Sequence, residues 1–187
     1  TTAMCRRSYR TYNFINTTCR SDDLKIPISS GIGLSNIEFR SRQFQVVLRA
    51  ALANRPNGHI VDVGANIGLF LLNLLVVDRD ADYIGFEPLL GGAAYIRRLI
   101  IENSLKNHQV LSVGLGEICC TATIRFGGEA DVSATMSDSA RPPSMYAHQQ
   151  IVAVATGDHL LRKVANISFV KIDVEGTEIS VLRGMTE

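Results

Sequence analysis

The sequence predicts an α/β fold, a largely parallel sheet with helices on both faces. Three observations carry this. From His59 onward, short apolar runs of strand character alternate with longer helical ones. The first run, in IVDVGANIGLF at residues 60–70, ends in an acid and a glycine-bracketed turn that leads into a helix. The second and last runs also end in acids, at Glu87-Pro88 and in KIDVEGTE at residues 171–178. In such sheets ligands bind beyond the carboxyl ends of the strands, where these residues fall.

The elements follow in order. Residues 1 to about 34 show no clear period, and Pro27, Ser29, Ser30, Gly31 and Gly33 mark a loop. The first 25 residues are mildly basic, with Arg6, Arg7, Arg10, Arg20 and Lys25 against Asp22 and Asp23, and are expected to be a solvated leader. This places a division between residues 1–34 and a domain at 35–187. Ser35 and Glu38 have capping-box spacing, and Phe44, Val47, Leu48 and Ala51 then recur at helical spacing. Asn54 to Gly58 ends that helix. A strand from His59 to about Val63 is followed by a helix from about Ile67 to Val77. A second strand spans residues 83–86, a second helix runs from about Gly92 to Lys106, and a third strand covers residues 110–113.

The pattern then changes. Ile118, Cys120, Ala122, Ile124 and Phe126 alternate with Thr121, Thr123 and Arg125, which predicts a half-buried, antiparallel strand. Residues 127–148 read as a loop, 151–155 as a strand and 158–164 as a short helix that Asp158 caps. The last strand is expected at residues 167–174, and a helix begins at Thr177.

Composition excludes several function classes. A formal net charge of +1 offers no field for nucleic acid or an anionic membrane. The longest apolar stretch, around Ile67 to Val77, is interrupted by Asn73 and falls short of the roughly 20 residues that span a bilayer. Cys5, Cys19, Cys119 and Cys120 lack the spacing of a metal site and are expected as free thiols of a cytoplasmic protein, with one of the adjacent pair in the core. Two glycosylation patterns, at Asn16 and Asn166, are taken as chance matches. His59 is expected to be structural, and His108, His148 and His159 have no ligand spacing. Nothing in the sequence specifies an oligomeric state.

The first turn narrows the ligand. Gly64 and Gly68 permit positive φ and close approach of a ligand, and Asn66 also tolerates the left-handed region. Glu87 ends the next strand, where a carboxylate can accept both hydroxyls of a ribose. A dinucleotide site calls for G-x-G-x-x-G, but Asn66 and Leu69 stand at its second and third glycine positions. D-x-G-x-N-x-G suits S-adenosylmethionine, which has no phosphate and whose amino-acid end can bond to the turn and to Asp62.

VDVGANIG at residues 61–68, GFEP at 85–88, Asn103 and Asn107, GLG at 114–116, KIDVEGTE at 171–178 and VLRG at 181–184 resemble, in order and spacing, the FkbM family of S-adenosylmethionine-dependent methyltransferases. The resemblance covers about residues 59–184. It implies the class I methyltransferase fold, a Rossmann-like three-layer sandwich of seven strands, and O-methylation of a small-molecule hydroxyl on a natural product or sugar. It implies cofactor contacts at Asp62, Gly64, Ala65, Asn66, Gly68, Glu87, Pro88 and Gly114. It also implies further strands beyond the helix near Thr177, so the domain is expected to be truncated at Glu187.

Strand alternation puts Phe169, Lys171, Asp173 and Glu175 on one side of the last strand and Val170, Ile172 and Val174 on the other. A charge in a buried strand is paired or serves a site. Lys171 therefore either fixes the strand through a neighbouring carboxylate or joins Asp173 and Glu175 in catalysis, where one acid orients the acceptor hydroxyl or takes its proton. Two other functions stay open: a nicotinamide-dependent oxidoreductase, and a non-catalytic nucleoside-binding fragment.

Overall fold

Why β3 (His59–Val63) lies at the centre is written in its composition. Ile60, Val61 and Val63 are all buried, as expected for a strand covered on both faces. It pairs in parallel with β4 (Tyr83–Phe86), which pairs with β5 (His108–Leu111). On its other side it pairs in parallel with β9 (Ile167–Ile172), giving the order β5-β4-β3-β9. The computed structural model describes residues 17–21, 23–29, 32–38, 41–128, 134–137 and 142–187.

One face of this sheet carries α2 (Arg42–Leu52), α3 (Leu69–Val77) and α4 (Leu90–Glu102) over a core of Ile60, Leu71, Leu72, Leu74, Tyr83, Ile96 and Leu99. Helix α3 is apolar all round because it is buried all round. Its one interior amide, Asn73, donates to the Leu69 carbonyl and accepts from Gln45. The opposite face packs Val61, Val63, Ile84 and Phe86 against Leu161 of α5 (Gly157–Leu161) and Val181 of α6 (Glu178–Arg183). This is the three-layer, Rossmann-like arrangement of the class I methyltransferase fold.

A second sheet joins β6 (Gly114–Leu115), β8 (His148–Ala155) and β7 (Cys120–Phe126) in the order β6-β8-β7. The β7–β8 pair is antiparallel, as its alternation predicts. Its inward residues Ile124 and Val152 pack with Leu89 over the carboxyl edge of the main sheet. Among the described residues no helix is long and apolar enough to cross a membrane.

Several expectations are corrected. Residues within the expected leader form a hairpin, β1 (Thr17–Ser21) and β2 (Leu24–Ile28), and Leu24 and Ile26 enter the main core. The hairpin is held from afar. Asn103 exchanges two hydrogen bonds with the Lys25 backbone, and the Tyr95 hydroxyl donates to the Pro27 carbonyl. Cys5, Arg6, Arg7, Arg10 and Asn16 lie outside the described residues. Ser35 lies inside α1 (Leu34–Glu38) rather than ahead of a helix, and Ser41 caps α2. Cys119 and Cys120 are both exposed, because the buried part of β7 begins beyond them. Thr156, not Asp158, caps α5; the Asp158 carboxylate accepts instead from the Thr186 and Glu187 amides. Among the described residues β9 is an edge strand, so Val170 is exposed rather than packed.

Candidate methyl-donor and acceptor site

The turn after β3 is built from three left-handed residues. Gly64, Asn66 and Gly68 have φ of 76°, 48° and 78°. Asparagine holds this geometry partly through its own side chain, whose Oδ1 accepts from the Ile67 amide. A side chain at Gly64 would collide with the Asp173 carbonyl, so the turn lies directly against the end of β9.

Glu87 locks the turn from the neighbouring strand. Its Oε2 accepts the Asn66 N–H and its Oε1 accepts the Leu89 N–H, both at 2.8 Å. Each oxygen keeps a lone pair for a further donor. Burial pushes the Glu87 carboxyl above the usual range, against the pull of these two amides. Gly92 makes this approach feasible, since a Cβ there would crowd the Asn66 carbonyl and the Glu87 side chain.

Behind the turn sits a charge clamp. Asp62 is fully buried and accepts from the Tyr83 hydroxyl at 2.8 Å. Its Oδ1 meets the Lys171 ammonium at 3.1 Å, an ion-pair contact without a well-aligned hydrogen bond. The same ammonium donates to the Gly64 carbonyl at 2.9 Å and lies 3.6 Å from Asp173. Register explains the pairing, because Asp62 stands directly opposite Lys171 across β3 and β9. Tyr83 reaches Asp62 by leaning over Gly85, where a Cβ would lie 2.7 Å from its hydroxyl. Burial raises the Asp62 pKa, with Lys171 and Tyr83 opposing it.

These elements surround a cavity of about 690 Å³, inside the range of roughly 300–1,000 Å³ usual for small-molecule sites. Of the residues expected at the site, Gly64, Ala65, Asn66, Glu87, Pro88, Gly114, Lys171, Asp173 and Glu175 line it. Asp62 and Gly68 do not. Asp62 is consumed by the clamp, and Gly68 packs toward Ile96 and Leu99. Lys171 is likewise committed, which favours the strand-fixing reading over a catalytic one. Sequence reasoning missed Tyr83, Gly92, Phe44, Phe70 and Met136. Gly85, in the middle of a four-residue strand, was the signal for Tyr83. Among the described residues no cluster of His, Cys, Asp or Glu is arranged to hold a metal ion.

Residues 62–187 match the family described as the Methyltransferase FkbM domain, which is all of the chain from Asp62 onward. The chain belongs to the FkbM methyltransferase family. The chain is 25% identical over 145 residues to Methyltransferase 1 of Beauveria bassiana (strain ARSEF 2860), a match that covers 68% of this chain and 58% of that protein. It is 27% identical over 89 residues to cyclosporin synthetase simA of Tolypocladium inflatum, covering 48% of this chain and, to the nearest percent, 0% of that protein. The chain thus spans little more than half of the one relative and a minute part of the other. Among solved structures, TYW2 of P. horikoshii in complex with MeSAdo aligns with a TM-score of 0.39 and 18% identity, over 53% of this chain and 36% of that one. TYW2 of M. jannaschii in complex with AdoMet aligns with a TM-score of 0.37 and 13% identity, over 60% of this chain and 65% of that one.

S-adenosylmethionine is the cofactor of the family, and the residues present fit it. The turn has room for close backbone approach, and the buried Glu87 carboxylate retains capacity for two hydroxyls. Among the described residues the cavity's charged side chains are Glu87, Lys171, Asp173 and Glu175, an acidic balance suited to a cation.

Proposed function

We propose that this FkbM domain transfers a methyl group from S-adenosylmethionine to a hydroxyl oxygen of a small molecule, such as a natural product or sugar. One observation carries the proposal: the left-handed turn tied to Glu87 and the acidic end of β9 open on the same cavity. When bound, the cofactor supplies an electrophilic methyl on a sulfonium sulfur. Gly64, Ala65 and Asn66 present backbone to its amino-acid end, and Glu87 accepts the ribose hydroxyls. Pro88 and Gly114, which line the same cavity, would complete the cofactor's contacts. Asp173 or Glu175 orients the acceptor hydroxyl or takes its proton; positioning dominates and general-base help is secondary. Lys171 holds Asp62, the turn and Asp173 together and takes no part in the proton transfer.

A nicotinamide-dependent reading has less support. The Asn66 N–H that would cradle a phosphate already donates to Glu87, and the carboxylate itself repels one. Calorimetric titration with S-adenosylhomocysteine, with NADH as control, tests the choice. Saturable binding of the former with a silent control is expected. A folded protein that binds neither ligand is a non-catalytic fragment, and the proposal fails.

Affinity is also expected to depend on pH. Glu87 accepts ribose hydroxyls best when ionised, and its pKa is raised by burial. Affinity should therefore fall as pH drops through that raised value, beginning above the ordinary glutamate pKa of about 4.3. Stability of the unliganded fold runs the other way. A raised acid pKa contributes stability at low pH that is lost as pH rises through the folded value. Titrations from pH 7.5 to below 5 check the first trend, and a flat affinity across that range contradicts it.

A further inference from the structure

Thr135 is buried, yet it lies in the segment between β7 and β8 that reads as a simple loop. Its backbone N–H and carbonyl both pair with Arg125 of β7, at 3.0 and 2.9 Å. Its hydroxyl donates to the Glu175 carbonyl at 2.6 Å and accepts the Ser137 N–H at 2.9 Å. Thr135 thus joins the second sheet to the acidic end of β9, across 40 residues of sequence. Its neighbours Ala134 and Met136 face the cavity, and the Met136 methyl sits against the Gly114 position.

The bonded carbonyl is a sensitive one. Glu175 is left-handed at φ 53°, and Gly176 follows at φ 104°. A side chain disfavours the left-handed region, so this peptide depends on outside partners to hold it. Two bonds do so: Thr135 holds the carbonyl side, and the Glu178 carboxylate accepts the Gly176 N–H at 3.2 Å.

Resting on the methyltransferase reading, we propose that Thr135 is a positioning residue. It fixes the Glu175–Gly176 peptide, and so sets the spacing between Met136 and Glu175 on the acceptor side of the cavity. The second sheet is then a working wall of the site rather than an appendage.

The test is Thr135→Val, which preserves shape and removes both hydroxyl bonds, beside Thr135→Ser, which preserves both bonds. Two readouts are local: the methyl resonance of Met136 in methionine-labelled protein, assigned through Met136→Leu, and exchange of the Gly176 amide. In Thr135→Val the Met136 resonance is expected to move toward its unfolded position and Gly176 exchange to quicken at least tenfold. S-adenosylhomocysteine affinity should stay within about threefold, because the Glu87 half of the site is untouched. Thr135→Ser should restore both readouts. If Thr135→Val does not fold, Thr135→Cys, with a weaker donor, should exchange at Gly176 faster than Thr135→Ser. Unchanged readouts in Thr135→Val, a serine variant that behaves like valine, or cysteine matching serine would each overturn the proposal. Failure of the parent protein to bind S-adenosylhomocysteine would instead overturn the methyltransferase reading and leave the two structural readouts to be judged alone.

Discussion

Replacing Glu87 with alanine is expected to weaken S-adenosylhomocysteine binding by about two orders of magnitude or more. A hydrogen bond to a charged group contributes roughly 1.5–3 kcal/mol, and two ribose hydroxyls are at stake. The loss has a second source. Without the carboxylate, the Asn66 and Leu89 amides lose their acceptors, and the left-handed turn loses its tie to β4. Binding should therefore fall further than two bonds alone require. Calorimetry measures the affinity, and a thermal melt shows that the variant is folded. Parent-like affinity in a folded Glu87→Ala protein would remove Glu87 from the ligand site.

The second large effect is expected at Lys171. Lys171→Met leaves Asp62 buried beside Tyr83 with no cation. Breaking a buried pair by removing one partner costs about 3–5 kcal/mol. At roughly 2–4 °C per kcal/mol for a domain of this size, the melting midpoint should fall by about 6–20 °C. Asp62→Asn in the same chain should recover much of that fall, since the amide oxygen still accepts from Tyr83 and no lone charge remains. The pH dependence follows from the raised Asp62 pKa. Ionisation of a carboxyl with a raised folded pKa costs stability as pH rises through that value, and loss of Lys171 raises it further. The deficit of Lys171→Met should thus shrink as pH falls from 7 toward 5. Scanning calorimetry of the parent and the two variants decides the matter. A double variant no more stable than Lys171→Met would show that Asp62 and Lys171 are not coupled.

How far the sequence reaches is clear from particular residues. The first strand, turn and helix were legible because Gly64, Asn66 and Gly68 are residue types that tolerate a left-handed turn, whatever surrounds them. Glu87 was legible because its place at a strand end needs no knowledge of its partners. The hairpin at residues 17–28 was not. Its strands are short, one contains Pro27, and its burial depends on Tyr95 and Asn103 from a helix far along the chain. Asp62 was read as a ligand contact because its type and position allow that. What removes it from the cavity is a cross-strand register with Lys171, which only the assembled sheet supplies. Thr135 was hidden for the same reason, since nothing near it in sequence announces a partner at Glu175.

The two amides on Glu87 also bear on the thermodynamics of ligand capture. A free glutamate side chain loses up to about 1.5–2 kcal/mol of rotamer entropy when it is fixed. Here that loss falls on folding, because the carboxylate is immobilised by its own backbone neighbours before any ribose arrives. Little of the gross interaction energy is then spent on ordering the receptor. Capture at this end of the cavity should resemble docking onto a rigid surface, with an association rate insensitive to turn motion.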